Sequence, residues 1–239
     1  MSVLVSVVIP LFNELDNVEP LVRQVGDVFH GLPAYDHELL LVDDGSSDGT
    51  GERIGDLAAA GPAVRPVRFD RNYGQSAALV AGMRLARGDL IITLDGDLQN
   101  DPRDIPAVLD GLKVSDAVFG YRVGRKDSWL KRVSSRIANR VRNWVLQDGV
   151  RDTGCGLKGF RRAVLPHLVA FNGAHRYFAV TVRLAGLTLA EVPVRHHPRQ
   201  HGTSKYGVHN RLWRGLHDLA GVRWLRKRYV VPRTKEDWR

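Results

Sequence analysis

Short apolar runs alternating with helical patterns constrain the first half of this 239-residue chain more than any other feature. Val3–Ile9, Glu38–Val42, Val64–Phe69, Leu90–Leu94 and Ala117–Gly120 read as strands. The first and fourth are apolar almost throughout, as strands covered on both faces of a parallel sheet are. Between the first two, Val18, Leu21, Val22, Val25, Val28 and Phe29 keep helical spacing behind Asn17, an N-cap residue type. Residues 74–87 and 103–113 also carry helical patterns. This βαβα order predicts an α/β fold, a doubly wound and mostly parallel sheet with helices on both faces.

In such sheets ligands bind beyond the carboxyl ends of the strands. Three polar motifs fall there: PLFNE after the first strand, DDGSSDGT after the second and LDGDLQND after the fourth. Asp95 and Asp97 flank a glycine that permits a tight backbone. Hard divalent cations take oxygen ligands, and Mg²⁺ commonly uses one or two carboxylates plus substrate phosphates. A strand-end D-x-D therefore suits a metal–diphosphate clamp; as a bare pattern it also suits a polar turn. An aspartate-nucleophile phosphatase site would start the same way, but Leu98-Gln99 is wrong for it.

DDGSSDGT lacks the alternating oxygens and closing Glu of a calcium loop. Asp43 and Asp44 instead finish a strand, with Ser47 or Asp48 starting the next helix. GCGLKG at 154–159 matches G-x-G-x-x-G, but it follows a polar Asp-Thr pair rather than a buried strand, so a dinucleotide site is rejected. Its glycines suit a loop that approaches another group closely. His196, His197, His201 and His209 lack neighbouring carboxylates or cysteines in sequence, which argues against zinc.

The formal charge of +9 hides a division. Residues 1–121 hold 9 Lys/Arg against 19 Asp/Glu, a net of −10, whereas residues 122–239 hold 26 against 7, a net of +19. A basic second half points to an anionic partner: nucleic acid, an acidic membrane surface or phosphate groups. No apolar run approaches the roughly 20 residues needed to span a bilayer. MSVLVSVVIP lacks a basic leader and a cleavage site, so it reads as a first strand. The lone Cys155 excludes an internal disulfide and fits a reducing compartment, the cytoplasm.

Taken in order, PLFNE, VDDGSSDGT, NYGQ, LDGDLQNDP, DTGCGLKGFRR and RQHGTSK resemble family 2 glycosyltransferases, and among them the dolichol- or polyprenyl-phosphate sugar synthases. The resemblance covers roughly residues 3–210. It implies a GT-A fold, a GDP- or UDP-linked nucleotide-sugar donor and a Mg²⁺ or Mn²⁺ cofactor. It implies that Pro10, Phe12 and Glu14 line the nucleotide pocket, with Val42 and Asp44 at the base and ribose. Phe12 stands where a tyrosine is often found, keeping the stacking surface and losing a hydroxyl. Asp95 and Asp97 would be the metal and diphosphate motif around Gly96, an alanine in some relatives and a mild change, with Gln99 beside it. Arg122 would follow the fifth strand near the phosphates. Arg199 and Lys205 match a loop that closes on the donor diphosphate. A GT-A domain over 1–207 is expected, its 1–121 half holding nucleotide and metal and its 122–207 half the acceptor, followed by a basic extension over 208–239.

The acceptor follows from charge. A phosphate monoester is mostly ionised near neutral pH, its second pKa being about 6, so it needs no strong base, whereas a sugar hydroxyl does. The second half is poor in acids, Asp152 being the best placed, and rich in arginine. This favours a polyprenyl phosphate. Many members of the resembling group carry C-terminal transmembrane helices that this sequence does not show. A peripheral protein on the cytoplasmic face is therefore expected, held by an anionic membrane surface or a small membrane-anchored partner. Residues 126–147 pattern as a helix with Leu130, Val133, Ile137, Val141 and Trp144 on one stripe and arginines, Arg142 among them, elsewhere. Over 208–228, Leu212, Trp213, Leu216, Leu219 and Ala220 share a face, with Arg211, Arg214, Arg223, Arg226, Lys227 and Arg228 around it. That arrangement suits an interfacial helix. Two rivals remain: a soluble transferase acting on a glycan hydroxyl, and a nucleic-acid binder. The second leaves the acidic strand ends unexplained, and no nucleic-acid partner is expected.

Overall fold

The structure, a computed structural model, describes residues 2–123, 139–198 and 208–231, with backbone only over 208–214. The predicted alternation is present: β1 (Val3–Leu11), α1 (Leu15–His30), β2 (Tyr35–Asp43), α2 (Thr50–Ala60), β3 (Val64–Arg68), α3 (Gln75–Leu85), β4 (Leu90–Thr93), α4 (Ile105–Leu112) and β5 (Ala117–Arg122). Helix α5, described over 139–146, follows. Then come β6 (Lys158–Arg161), α6 (Phe178–Leu184), β7 (Leu189–Val194) and α7 (Val208–Arg228).

One seven-stranded sheet runs in the order β3-β2-β1-β4-β6-β5-β7. All neighbours are parallel except β6, which lies antiparallel between β4 and β5. Consequently β4 and β5 end at the same edge of the molecule, and β6 begins there. Lys158, its first residue, pairs with Thr93 on one side and Phe119 on the other. Val5, Val7, Ile9, Leu39 and Leu41 face a core under α1, α2 and α4. Val8, Leu40, Val42 and Phe119 face a second core under α3 and α6. Full burial on both faces explains the unbroken apolar runs.

Three local readings change. Helix α1 starts at Leu15, so Asn17 lies inside its first turn, buried, with its amide donating to Glu14 Oε2 at 2.6 Å. Glu14, not Asn17, stands at the cap position, and no side chain caps the helix there. The fifth strand runs to Arg122, which is therefore its last residue. In α5 the predicted faces are reversed: Arg142 is buried while Val141 and Trp144 are exposed. Arg142 turns inward because Asp148 is wholly buried beneath it. Its guanidinium meets Asp148 at 2.9 Å, Thr153 Oγ1 at 2.8 Å and Asn139 Oδ1 at 2.7 Å.

Candidate active site

Polar motifs gather where β1, β2, β4 and β5 end. PLFNE and DDGSSDGT interlock: Asn13 N donates to Ser46 Oγ at 2.9 Å, Ser47 N to Asn13 Oδ1 at 2.8 Å, and Glu14 N to Thr50 Oγ1 at 3.0 Å. Asp48 accepts from Thr50 N at 3.0 Å, one residue ahead of the cap position of α2. Pro10 and Val42 are register partners on β1 and β2, with Val42 fully buried in the core. Phe12 is half-buried beside them.

Asp44 is buried and holds the segment before α3. Its carboxylate accepts from Tyr73 N at 2.7 Å, Gly74 N at 2.9 Å and Asn72 Nδ2 at 3.0 Å. Burial raises its pKa against these hydrogen bonds. NYGQ, which sequence reading assigned no role, is thus tied to the second strand's end and delivers the first turn of α3 into the site.

The D-x-D turn is fixed from three sides. A methyl at Gly96 would lie 2.5 Å from Leu11 Cδ2 and 2.9 Å from the Pro10 carbonyl, so an alanine there is not a mild change in this chain. Leu98 adopts φ +58°, a left-handed backbone that a leucine avoids, and its side chain is buried in the core. Gln99 N donates to Asp97 Oδ1 at 3.2 Å. Asp95 receives the Gln75 amide at 2.8 Å. Gly156 makes Asp95's position possible, since a Cβ there would sit 2.2 Å from its carboxyl carbon. The close approach expected of the GCGLKG glycines is this one.

Burial and the charge of Asp97 push the Asp95 carboxyl up to about 6, with Lys158, Arg122 and the Gln75 bond pulling the other way. Two crowded carboxylates, one of them hard to ionise, are the donor set that a hard divalent cation relieves. The residues therefore fit Mg²⁺ or Mn²⁺.

Cations surround this acidic pair. Arg122 grips Asp152 with two bonds, Nε to Oδ2 at 2.7 Å and a terminal nitrogen to Oδ1 at 2.9 Å. Burial works against its charge, but Asp152 outweighs that and raises its pKa. Lys158, buried, donates to the Cys155 carbonyl, and burial lowers its pKa. Lys158 escaped the sequence reading although it lies within DTGCGLKGFRR; a single lysine in a glycine-rich stretch looks like surface. The Cys155 thiol is pushed up to about 11 by burial, which keeps it protonated.

Gln99 and Asn100 lead away from the turn toward the end of β7. His197 N donates to Gln99 O at 2.8 Å, and Asn100 forms a bridge with His196. Asp101 binds Arg103 and lies 3.0 Å from His197 Nε2, carboxylate company that spacing did not reveal. Asp104 accepts from Arg195 N at 2.6 Å and Nε at 3.0 Å. The chain thus leaves toward Arg199 and Lys205 from a stem bound to the D-x-D segment; both residues lie outside the described ones.

The structure brings Asp95, Gly96, Asp97, Gln99 and Arg122 to one sheet edge, with Pro10, Phe12, Glu14, Val42 and Asp44 at the neighbouring strand ends. The signature described as glycosyl transferase family 2 matches residues 6–169. The dodecaprenyl-phosphate galacturonate synthase of Rhizobium johnstonii is 39% identical over 229 residues, covering 92% of this chain and 67% of that protein. The undecaprenyl-phosphate 4-deoxy-4-formamido-L-arabinose transferase of Edwardsiella ictaluri is 36% identical over 206 residues, covering 85% of this chain and 63% of the relative. The chain spans about two thirds of the length of these relatives. Among solved structures, glucosyl-3-phosphoglycerate synthase from Mycobacterium tuberculosis with Mn²⁺ and UDP-glucose superposes with a TM-score of 0.71 at 20% identity, covering 92% of this chain and 79% of that one. The same enzyme has been crystallised with Mg²⁺ and UDP.

Proposed function

From the premise that the chain belongs to glycosyltransferase family 2 and has its GT-A fold, we propose that it transfers a sugar from a nucleoside-diphosphate sugar to a polyprenyl phosphate. One observation carries this reading: an acidic pair suited to a metal–diphosphate lies beside buried cations, and the best-placed carboxylate of the basic half is occupied by Arg122. Among the described residues, the carboxylate that could serve a hydroxyl acceptor as base is thus engaged by a guanidinium, and the positive charge beside the acidic pair suits a phosphate acceptor. The relatives' names, which join a polyprenyl phosphate to a galacturonate or a 4-deoxy-4-formamido-L-arabinose, support the same acceptor class.

In this reading Pro10, Phe12, Glu14, Val42 and Asp44 form the nucleotide end, Asp44 acting largely by holding residues 72–74 in place. Asp95 and Asp97 would hold Mg²⁺ or Mn²⁺, which would supply charge neutralisation for the departing diphosphate. Gln75 and Gly156 fix Asp95, and the buried Leu98 fixes Asp97 and Gln99. Arg122 and Lys158 keep the site positive for the incoming phosphate oxygen, which attacks the anomeric carbon as the bond to the diphosphate breaks. Inversion at that carbon follows from single displacement. Arg199 and Lys205 add charge-assisted bonds to the diphosphate.

The proposal extends to the surface. Val141, Trp144, Leu216 and Trp224 are exposed on α5 and α7, and a cleft of about 390 Å³ between these helices is lined by Trp144, Val145, Arg223, Arg226 and Lys227. Tryptophan beside basic residues suits the headgroup level of an anionic bilayer. No helix among the described residues is long and apolar enough to cross a membrane, so this face is the proposed contact at the cytoplasmic leaflet, directly or beside a membrane-anchored partner.

The test is transfer of labelled sugar from a panel of UDP- and GDP-sugars into undecaprenyl phosphate or an oligosaccharide, with added Mg²⁺ or Mn²⁺. Lipid-linked product, abolished by chelator and by Asp97→Asn in a folded variant, is the expected result. Preferential labelling of the oligosaccharide would overturn the lipid acceptor, and chelator-insensitive turnover would overturn the metal.

A further inference from the structure

The first turn of α3 does two things at adjacent residues. Gln75 holds Asp95. Ser76, buried, reaches His175 in the turn before α6, its Oγ lying 2.7 Å from the ring Nδ1. That oxygen also accepts from Gly173 N at 3.1 Å and His175 N at 3.4 Å. With two donors arriving, the hydroxyl hydrogen goes to Nδ1. The ring therefore carries its own hydrogen on Nε2, and among the described residues nothing accepts from it. Burial, then Lys158 and Arg176, push the His175 pKa down to about 3, so the imidazole stays neutral at any working pH. Because adjacent residues of one helical turn bind Asp95 and His175, the ring lies on the D-x-D side of the second core.

The turn is stiffly held. Gly173 sits at φ +94°, and a Cβ there would meet Asp218 of α7 at 2.9 Å. Ala174–Arg176 forms a 3₁₀ turn, and Tyr177 N donates to Ala174 O at 2.7 Å. Nothing in the packing of the second core requires a histidine here. A ring whose tautomer is fixed by a buried serine and whose remaining N–H is uncommitted is built as a donor.

Resting on the reading as a nucleotide-sugar transferase, we propose that His175 is a positioning residue whose Nε2–H donates to an uncharged oxygen of the transferred sugar. A phosphate oxygen would be served better by an imidazolium, and this site keeps the ring neutral while already holding Arg122 and Lys158. A neutral donor reads a hydroxyl or carbonyl without adding charge to a position where only the diphosphate and the acceptor carry it.

The experiment compares the affinities of the protein for UDP, UDP-glucose and UDP-galacturonate with Mn²⁺ present, in wild type, His175→Ala, His175→Gln and Ser76→Ala. His175→Ala should weaken the nucleotide sugar that wild type binds best by about tenfold while leaving UDP unchanged. His175→Gln, which retains a neutral donor, should recover most of that loss. Imidazole ¹⁵N shifts should show the Nε2–H tautomer in wild type and a mixture in Ser76→Ala. Equal affinity ratios in all four proteins, a loss that extends to UDP, or an Nδ1–H ring would overturn the proposal. If neither these three nor GDP and GDP-mannose bind the wild type, the transferase reading falls with it; binding with unchanged ratios leaves that reading intact and removes only His175.

Discussion

Gly156 shows how closely a site can depend on an atom that is absent. A methyl group there would lie 2.2 Å from the Asp95 carboxyl, so Gly156→Ala must move either β6's leading loop or the carboxylate. Displacement of a reacting group by about 1 Å costs on the order of 100-fold in rate. We expect turnover to fall about that much in a folded protein, with Mn²⁺ affinity falling alongside when measured by electron paramagnetic resonance. Unchanged Mn²⁺ affinity would mean that Asp95 is not a ligand. In the proposed reading, Arg199 and Lys205 serve the other end of the diphosphate. Charge-assisted hydrogen bonds contribute about 1.5–3 kcal/mol each, so Arg199→Ala and Lys205→Ala should each weaken donor use by more than tenfold without lowering the melting temperature. Wild-type kinetics in both would reduce the segment to a basic surface.

Elements are secured by buried charge at two further places. Arg142 ties α5 to Asp148, Thr153 and Val150, and removing one partner of a buried pair typically costs about 3–5 kcal/mol. Arg142→Ala should lose stability on that scale in urea unfolding, whereas the exposed Arg140→Ala should change little. At the opposite end of the sheet, Glu38 accepts from Ser6 Oγ, Arg87 N and an Arg65 guanidinium, each at 2.6 Å. Burial alone would raise its pKa, but these bonds outweigh burial and lower it. A carboxylate whose folded pKa lies below the unfolded value, about 4.3, adds stability above that pH. The contribution is lost as pH falls through the folded value. Glu38→Gln should therefore be less stable at pH 7 and show a flatter acid limb; a parallel acid limb would exclude the network. These elements also mark the reach of sequence reading. β1, β2, β4 and β5 were legible because burial on both faces writes continuous apolar runs, a signal that the edge strand β3 does not carry. β6 was not, since Lys-Gly-Phe-Arg carries no such run and its pairing comes from residues far apart in sequence. Arg142 misled because an arginine on a helix usually marks solvent, and its buried partner Asp148 lies beyond the helical pattern. Asp95 and Asp97 were legible from spacing, whereas Lys158, Gln75 and His175 enter the site through the tertiary fold alone.

Across the whole molecule, charge is sorted as the sequence indicated, with the acidic half carrying the D-x-D edge and the basic half carrying α5 and α7. Each Lys/Arg near an anionic bilayer contributes about 1 kcal/mol, and in the proposed membrane contact the exposed Trp144 and Trp224 would add apolar insertion. We expect sedimentation with anionic but not neutral vesicles, reduced by Trp144→Glu with Trp224→Glu and only partly reversed by salt. Binding to neither vesicle would confine these helices to ordinary packing. The antiparallel strand between β4 and β5 has a consequence of another kind. Growing from the ribosome, the chain can assemble β3-β2-β1-β4 early, since domains fold as synthesis proceeds. Yet β4 and β5 stay unjoined until residues 158–161 emerge and bond to both. A nascent chain stalled before that point would carry an open edge on β4 and an unpaired β5, the surfaces on which neighbouring chains pair. The same late strand brings Lys158 beside the start of the D-x-D segment, so closing the sheet and completing the charge around Asp95 are one event in biogenesis.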